Sequence, residues 1–340
     1  MINNGILKNI AKKRILTILI SILILFVVCI ISIMLGSTKF TVVETLSVFT
    51  NSITEDALAN QIIMNIRIPR LITGMFVGMN LGVAGVLLQG ILRNPMASPN
   101  IIGVNAGAGF GAIIAMTILP QFASSVPIFA FLGALSATIT IYLLSCQNSA
   151  KSNPVYIVLA GIAVSNLLSA LTSALMALNT DALDITYSWL LGSLSGRTWS
   201  SVSIIIPYSI VGLTLALMIS PKINIFGLGD EVASSLGVSV SIYRAFIMLI
   251  ASILAGSAVS VAGTIGFVGL ISPHIARLFI GNDHRFLVPL SAIFGGILLT
   301  LSDTVARTIF NPVELSVGIV TSVLGAPFFL WLLFNRKSML

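Results

Sequence analysis

Charge is what this sequence has least of. Only 8% of its 340 residues are Asp, Glu, Lys or Arg, against 57% hydrophobic residues, and the mean hydropathy is +1.09. Soluble domains carry about a quarter charged residues, and a water-soluble fold of this length could not hide so much apolar surface. Cysteine is nearly absent: Cys29 and Cys146 fall in separate apolar runs and suggest no disulfide framework. The two histidines, His274 and His284, have no Cys or Glu at ligand spacing, so neither a metal site nor a cofactor is expected. No GxxxxGKS/T phosphate loop, HExxH helix or pair of intramembrane acids occurs, which argues against an ATPase within this chain and against an intramembrane enzyme.

Long apolar runs are what remains. Ile15 to Leu35 is 21 residues without a charge, and at about 1.5 Å per residue that matches a hydrocarbon core roughly 30 Å thick. It is too long for the apolar region of a cleaved signal peptide and reads as a retained first helix. Runs between charged or Pro/Gly punctuation predict an all-α integral membrane protein of about ten transmembrane helices. They fall at 14–36, 68–92, 100–119, 126–146, 155–178, 199–219, 242–264, 268–281, 287–307 and 315–334. The segment 268–281 is short and follows Gly263-Thr264-Ile265-Gly266, so it reads as broken or partly re-entrant. A single transmembrane domain spanning 1–340 is expected, since the longest polar intervals (37–67, 179–198 and 220–241) are far too short to fold alone.

With the N-terminus inside, twelve basic residues fall on the cytoplasmic side. Five, Lys39, Arg67, Arg70, Arg197 and Arg307, fall outside. Glu44, Glu55, Asp56, Asp181, Asp184, Asp303 and Glu314 are then outer and Asp230, Glu231 and Asp283 inner. This is the asymmetry of the positive-inside rule; it places both termini in the cytoplasm and accounts for the net charge of +7 without nucleic acid. Acids at helix ends and in loops also disfavour an ion-coupled secondary transporter, which would hold relay groups deep in the membrane.

Three features stand out by residue type. Glycines crowd the second and third helices, with Gly74, Gly78 and Gly82 on one face, which reads mainly as close packing in lipid. Arg93-Asn94-Pro95-Met96-Ala97-Ser98-Pro99 forbids helix continuation and makes a tight inner turn. Between Gly227 and Val238, Asp230 and Glu231 fit a first helical turn, Val232 and Leu236 share a face, and Gly237 stops the helix. Such an amphipathic element either lies on lipid or docks a soluble partner. For Arg67 and Arg70, around Pro69, interfacial snorkelling is the plain account, and for Arg307 an i, i+4 pair with Asp303.

Taken in order, several strings resemble the iron-siderophore and cobalamin ABC importer permease family, the type II importers. They are Arg67-Ile68-Pro69-Arg70; Leu88-Gln89-Gly90 with Arg93 to Pro99 and Gly103-Val104; Glu231-Val232-Ala233 with Leu236-Gly237-Val238; Gly263 to Arg277; Asp283-His284-Arg285; and Gly318 to Thr321 with Gly325 to Phe329. Thr264 departs from a frequent proline. The resemblance implies a permease subunit without catalytic residues, importing an iron-siderophore complex or, within the same family, haem or a corrinoid. It implies a second permease subunit, two cytoplasmic ATPase subunits, an extracytoplasmic substrate-binding protein and a location in the cytoplasmic membrane. It makes 228–238 the ATPase-coupling element, with Asp230, Glu231, Val232, Ala233, Leu236, Gly237 and Val238. It gives Arg67, Arg70 and Arg307 to docking of the binding protein, and places Asn94 and Pro95 near the cytoplasmic gate.

Overall fold

The computed structural model describes residues 4–36, 38, 40–41, 45, 48, 57–146 and 154–334. Of the charges used to argue topology, Lys39, Glu44, Glu55, Asp56, Lys151, Arg336 and Lys337 lie outside the described residues. The described chain is helical, with no strand among these residues. Its main elements are α1 (Asn4–Met34), α2 (Ile68–Leu92), α3 (Val104–Thr117), α4 (Val126–Cys146), α5 (Pro154–Leu178) and α6 (Leu183–Leu190), followed by α7 (Trp199–Phe226), α8 (Asp230–Ser235), α9 (Val240–Ala262), α10 (Val268–Ile280), α11 (His284–Ala306) and α12 (Val317–Phe334). Among the described residues seven helices are long and apolar enough to cross a membrane, and three shorter apolar ones, α3, α10 and a segment of α12, accompany them.

Helix α2 is the hub. It packs against α11, α9, α7 and α10, while α3, α4 and α5 form a second group joined to the first through α9. The spanning window of α9 is 78% buried and that of α5 only 17%, so one is core and the other presents nearly its whole circumference outward. The glycine-rich faces explain the contacts. A Cβ on Gly78 would lie 2.2 Å from the Gly295 carbonyl oxygen of α11, and Gly107 and Gly133 block each other across α3 and α4 at 2.2 Å in both directions. Only residues without a side chain permit backbones this close, and in lipid such proximity, not hydrophobic exclusion, holds helices together. Asn80, fully buried in α2, donates to Ser209 Oγ of α7 at 2.8 Å and Ser257 Oγ of α9 at 3.2 Å, a polar knot joining three helices.

The helix ends differ from the hydropathy pattern in identifiable ways. The second helix begins earlier than residue 68: Ala57–Gln61 leads through a π-helical turn, Ile62–Arg67, directly into α2. Pro69 at the start of α2 needs no amide partner, so the helix accepts it. The interval 179–198 holds the short helix α6, whose eight residues could not span. Helix α7 continues to Phe226 past Pro207 and Pro221. At 263–267 the chain is not helical: Gly263 (φ 71°) ends α9 and Phe267 (φ 65°) precedes α10. Thr264 Oγ1 there donates to the Leu190 carbonyl, and Ser193 N–H to the Ala262 carbonyl at 2.8 Å. Protein groups thus satisfy the Leu190 and Ala262 carbonyls at this break.

Candidate functional site at the two ends of the bundle

Ion pairs gather Arg14, Arg93, Asp230, Arg244, Asp283 and Arg285 at one end and Arg70, Asp303, Arg307 and Glu314 at the other. At the first end Gly229, at φ 104°, turns the chain into α8, and Gly237, at φ 79°, turns it out again. Glu231 is exposed, and so are Val232 and Leu236, at 44% and 60%; Leu228 beside them is 61% exposed. Ala233 and Val238 are buried and root the element in the bundle. Asp230 faces inward. It pairs with the fully buried Arg244 at 3.0 Å and with Arg93 at 3.4 Å. The sequence pattern pointed to Asp230 as a helix-capping charge but not to Arg93 and Arg244, because pairs so distant in sequence leave no periodic trace.

Arg93 caps α2 in the left-handed conformation, φ 50°. Asn94 then closes the turn, its Oδ1 accepting from Met96 N–H at 3.0 Å and its carbonyl from Ala97 N–H at 3.0 Å. Asn94 and Pro95 are exposed and line a cavity of about 870 Å³, together with residues from α2, α7 and α10. One salt bridge therefore joins α8 to the turn that borders the cavity. On its far side Asp283 accepts from Arg285 Nη2 at 2.8 Å, from Asn224 at 2.9 Å and from Arg14 at 3.2 Å. The Arg285 bonds first, then that of Asn224, hold its carboxyl well below the usual carboxylate range. Its contribution to stability is fully present above the ordinary Asp value of about 4 and is lost only as pH falls through the lowered one.

At the other end the three arginines are buried, 4–6% exposed, and each is held by this chain. Arg67 donates to the carbonyls of Ile33, Met34 and Thr38 and stacks over Phe40 at 4.6 Å. Arg70 is bidentate on Asp303, with Nε–Oδ2 at 3.0 Å and Nη2–Oδ1 at 2.9 Å, and reaches Glu314 at 2.8 Å. Arg307 donates to the Ser32 carbonyl and to Ser32 Oγ; its i, i+4 approach to Asp303 is only 3.8 Å. The pairing expected for Arg307 thus belongs chiefly to Arg70, and none of the three lies free on the surface. Together they pin the end of α1 and the chain after it to α2 and α11. Among the described residues no group of three or more His, Cys, Asp or Glu could hold a metal ion.

Residues 23–335 match the model of the FecCD transport family. The chain belongs to that family. It is 40% identical to the Fe(3+)-citrate import system permease protein YfmD of Bacillus subtilis over 96% of both chains. It is 42% identical to the cobalamin import system permease protein BtuC of Halobacterium salinarum, over 82% of this chain and 75% of that one. With the hemin transport system permease protein HmuU of Yersinia pestis it shares 40% identity over 85% of this chain and 87% of that one. A solved inward-facing structure assigned to the metal-chelate type of ABC transporter superposes with a TM-score of 0.84 at 28% identity, covering 94% of this chain and 99% of that one. The protein is therefore a multi-pass membrane permease of an ABC importer, a transport subunit and not an enzyme, and it works with other permease and ATPase chains.

The Arg70–Asp303 pair gives a direct test of the outer-end network. Replacing Asp303 by Asn removes one of the two carboxylates on the buried Arg70 guanidinium and leaves Glu314 as the other, so thermal or denaturant unfolding in detergent is expected to show a loss of about 1.5–3 kcal/mol. A loss below about 1 kcal/mol, the worth of an exposed pair, would show that the network does not hold α2 to α11.

Proposed function

We propose that this chain is one of two permease subunits of a binding-protein-dependent importer for an iron chelate such as a ferric siderophore, with both termini in the cytoplasm. The carrying observation is the exposed apolar trio Leu228, Val232 and Leu236, mounted on an element that is salt-bridged through Asp230 and Arg93 to the cavity-bordering turn. Such a face is unfavourable in water and suits a groove on a soluble ATPase. Motion imposed on α8 by that partner then reaches Asn94 and Pro95 through the Arg93–Asp230 contact, which makes the turn a cytoplasmic gate. The iron relative matched over nearly its whole length supports the substrate class, with haem or a corrinoid as the alternative cargo within the family.

Helix α5 supports the dimer. Asn166, Ser169 and Ser173 are exposed on one face of a helix long enough to span the membrane. An amide facing hydrocarbon without a partner costs several kcal/mol, so this stripe faces the second subunit across a polar pathway. Its i, i+3, i+7 spacing is readable in the sequence. At the outer end the buried arginines serve docking by fixing the surface around the partly exposed Glu314, and selectivity resides mainly in the binding protein.

In proteoliposomes with the ATPase and binding protein, Leu236→Asp is expected to leave the permease folded and inserted while abolishing uptake, because the charge is desolvated at the contact. Arg93→Ala and Asn94→Ala should change stability by no more than about 1 kcal/mol, yet lower uptake relative to ATP hydrolysis. Normal uptake by inserted Leu236→Asp protein would overturn the coupling role, and normal uptake by both turn variants the gate.

Orientation is read by labelling. In a background without Cys29 and Cys146, a cysteine at position 285 is expected to resist an impermeant thiol reagent in intact cells, and one at 184 to react; the reverse pattern would invert the topology. For docking, Arg67→Gln, Arg70→Gln and Arg307→Gln are expected to weaken binding of the purified binding protein beyond any loss of folded permease. Affinity that merely tracks the folded fraction would leave these arginines a structural role only.

A further inference from the structure

The cavity beside the Asn94–Pro95 turn has an unbalanced lining. Arg93, Arg277, His274, His284 and Gln89 border it, and among the described residues no carboxylate does. Arg277 is half-buried and, among the described residues, hydrogen-bonds only to Gln89, its Nη2 donating to Oε1 at 3.0 Å, while its Nη1 is buried without a partner there. That bond fixes the Gln89 amide, because a guanidinium has no acceptor and the oxygen must face it. The Gln89 Nε2 is therefore a donor too, also buried and unpartnered, on a side chain 3% exposed. The two residues together supply one positive charge and spare N–H groups, with no acceptor left over.

His284 is oriented differently. Asn224 donates through Nδ2 to Asp283, so its Oδ1 accepts from His284 N–H at 2.9 Å and faces Nδ1 at 2.8 Å. The neutral ring must then carry its proton on Nδ1, which leaves Nε2 a lone pair beside Gly90. It adds no donor to the cavity in that form. Asp283, the nearest carboxylate in sequence, is occupied by Arg14, Arg285 and Asn224 and does not line the space.

A half-buried guanidinium without an anion and a buried amide without an acceptor each carry a desolvation cost that a ligand would remove. The positive sign rules out a metal cation as that ligand, and the volume suits a small molecule. We infer that this cavity binds a small oxyanion, a carboxylate or a phosphate, through Arg277 and Gln89. Two sources present that chemistry at this end of the bundle: a carboxylate-bearing chelate leaving the pathway, or cytoplasmic phosphate. The inference does not depend on the import reading, because binding is measured on the permease alone.

The test uses the purified full-length chain in detergent, titrated with citrate and with inorganic phosphate by calorimetry and thermal unfolding, with chloride at equal ionic strength as control. Saturable binding with a raised Tm is expected for at least one of them, and Arg277→Gln should weaken it by about tenfold or more, the worth of a charged hydrogen bond. Leu278 lines the cavity and is 61% exposed, so Leu278→Trp adds bulk at the cavity wall while keeping Arg277 and Gln89, and should weaken binding even if Arg277→Gln fails to fold. Preference for citrate assigns the site to a carboxylate, and preference for phosphate to the cytoplasmic source; either supports the inference. No binding beyond that of chloride, or equal affinity in wild type and variants, overturns it. So does an Arg277→Gln protein that titrates normally but no longer assembles with its ATPase, since the cavity would then be a socket for a protein side chain.

Discussion

Everything in this molecule depends on how closely backbones approach α2. In a bilayer the lipid is as apolar as the side chains, so helices gain little from excluding it and must gain from contact. Gly78 against Gly295 brings α2 and α11 within the distance that a methyl group would occupy, and Gly107 against Gly133 does the same for α3 and α4. These seams make two groups of helices that are each tight and that meet mainly through α9. The polar knot of Asn80, Ser209 and Ser257 adds direction to an otherwise non-directional contact.

Tight packing at mid-membrane sends the charged chemistry to the ends. At one end Asp303 gathers Arg70 and approaches Arg307, while Arg67 and Arg307 hold carbonyls and the Ser32 hydroxyl near the end of α1. At the other, Asp230 is shared by a wholly buried arginine from α9 and a partly exposed one from the end of α2. The two ends differ in kind. The first is closed, with each arginine held by partners of this chain, as befits a rigid frame. The second leaves apolar side chains in the open and a cavity bordered by arginines and, among the described residues, by no carboxylate.

Transport needs two arrangements of nearly equal energy, and the joints available for such a change are the places where helices are interrupted. The non-helical stretch 263–267 interrupts the run from α9 to α10 beside the turn at Gly192. The left-handed Arg93 marks a second joint, where α2 gives way to a turn held by a few hydrogen bonds and a single ion pair to α8. Both joints border elements that are well packed along their length, so displacement at α8 can pass as rigid-body motion and not as local melting.

The sequence by itself determined the membrane character, the helical class and the family, because composition, run length and short ordered motifs are local properties. It also marked 228–238, Asn94-Pro95 and the three arginines as unusual. It did not show that those arginines are buried, since whether Arg70 meets solvent or Asp303 depends on residues 233 positions apart. Nor did it show the early start of the second helix through a π-helical turn, which tertiary contacts impose on a polar interval. The Arg93–Asp230–Arg244 bridge, the cavity with its unpaired Arg277 and Gln89 donors, and the outward face of α5 were decided by tertiary structure. Each arises from the juxtaposition of helices whose hydropathy patterns are almost identical, and a pattern that is apolar all round does not say which side meets which neighbour.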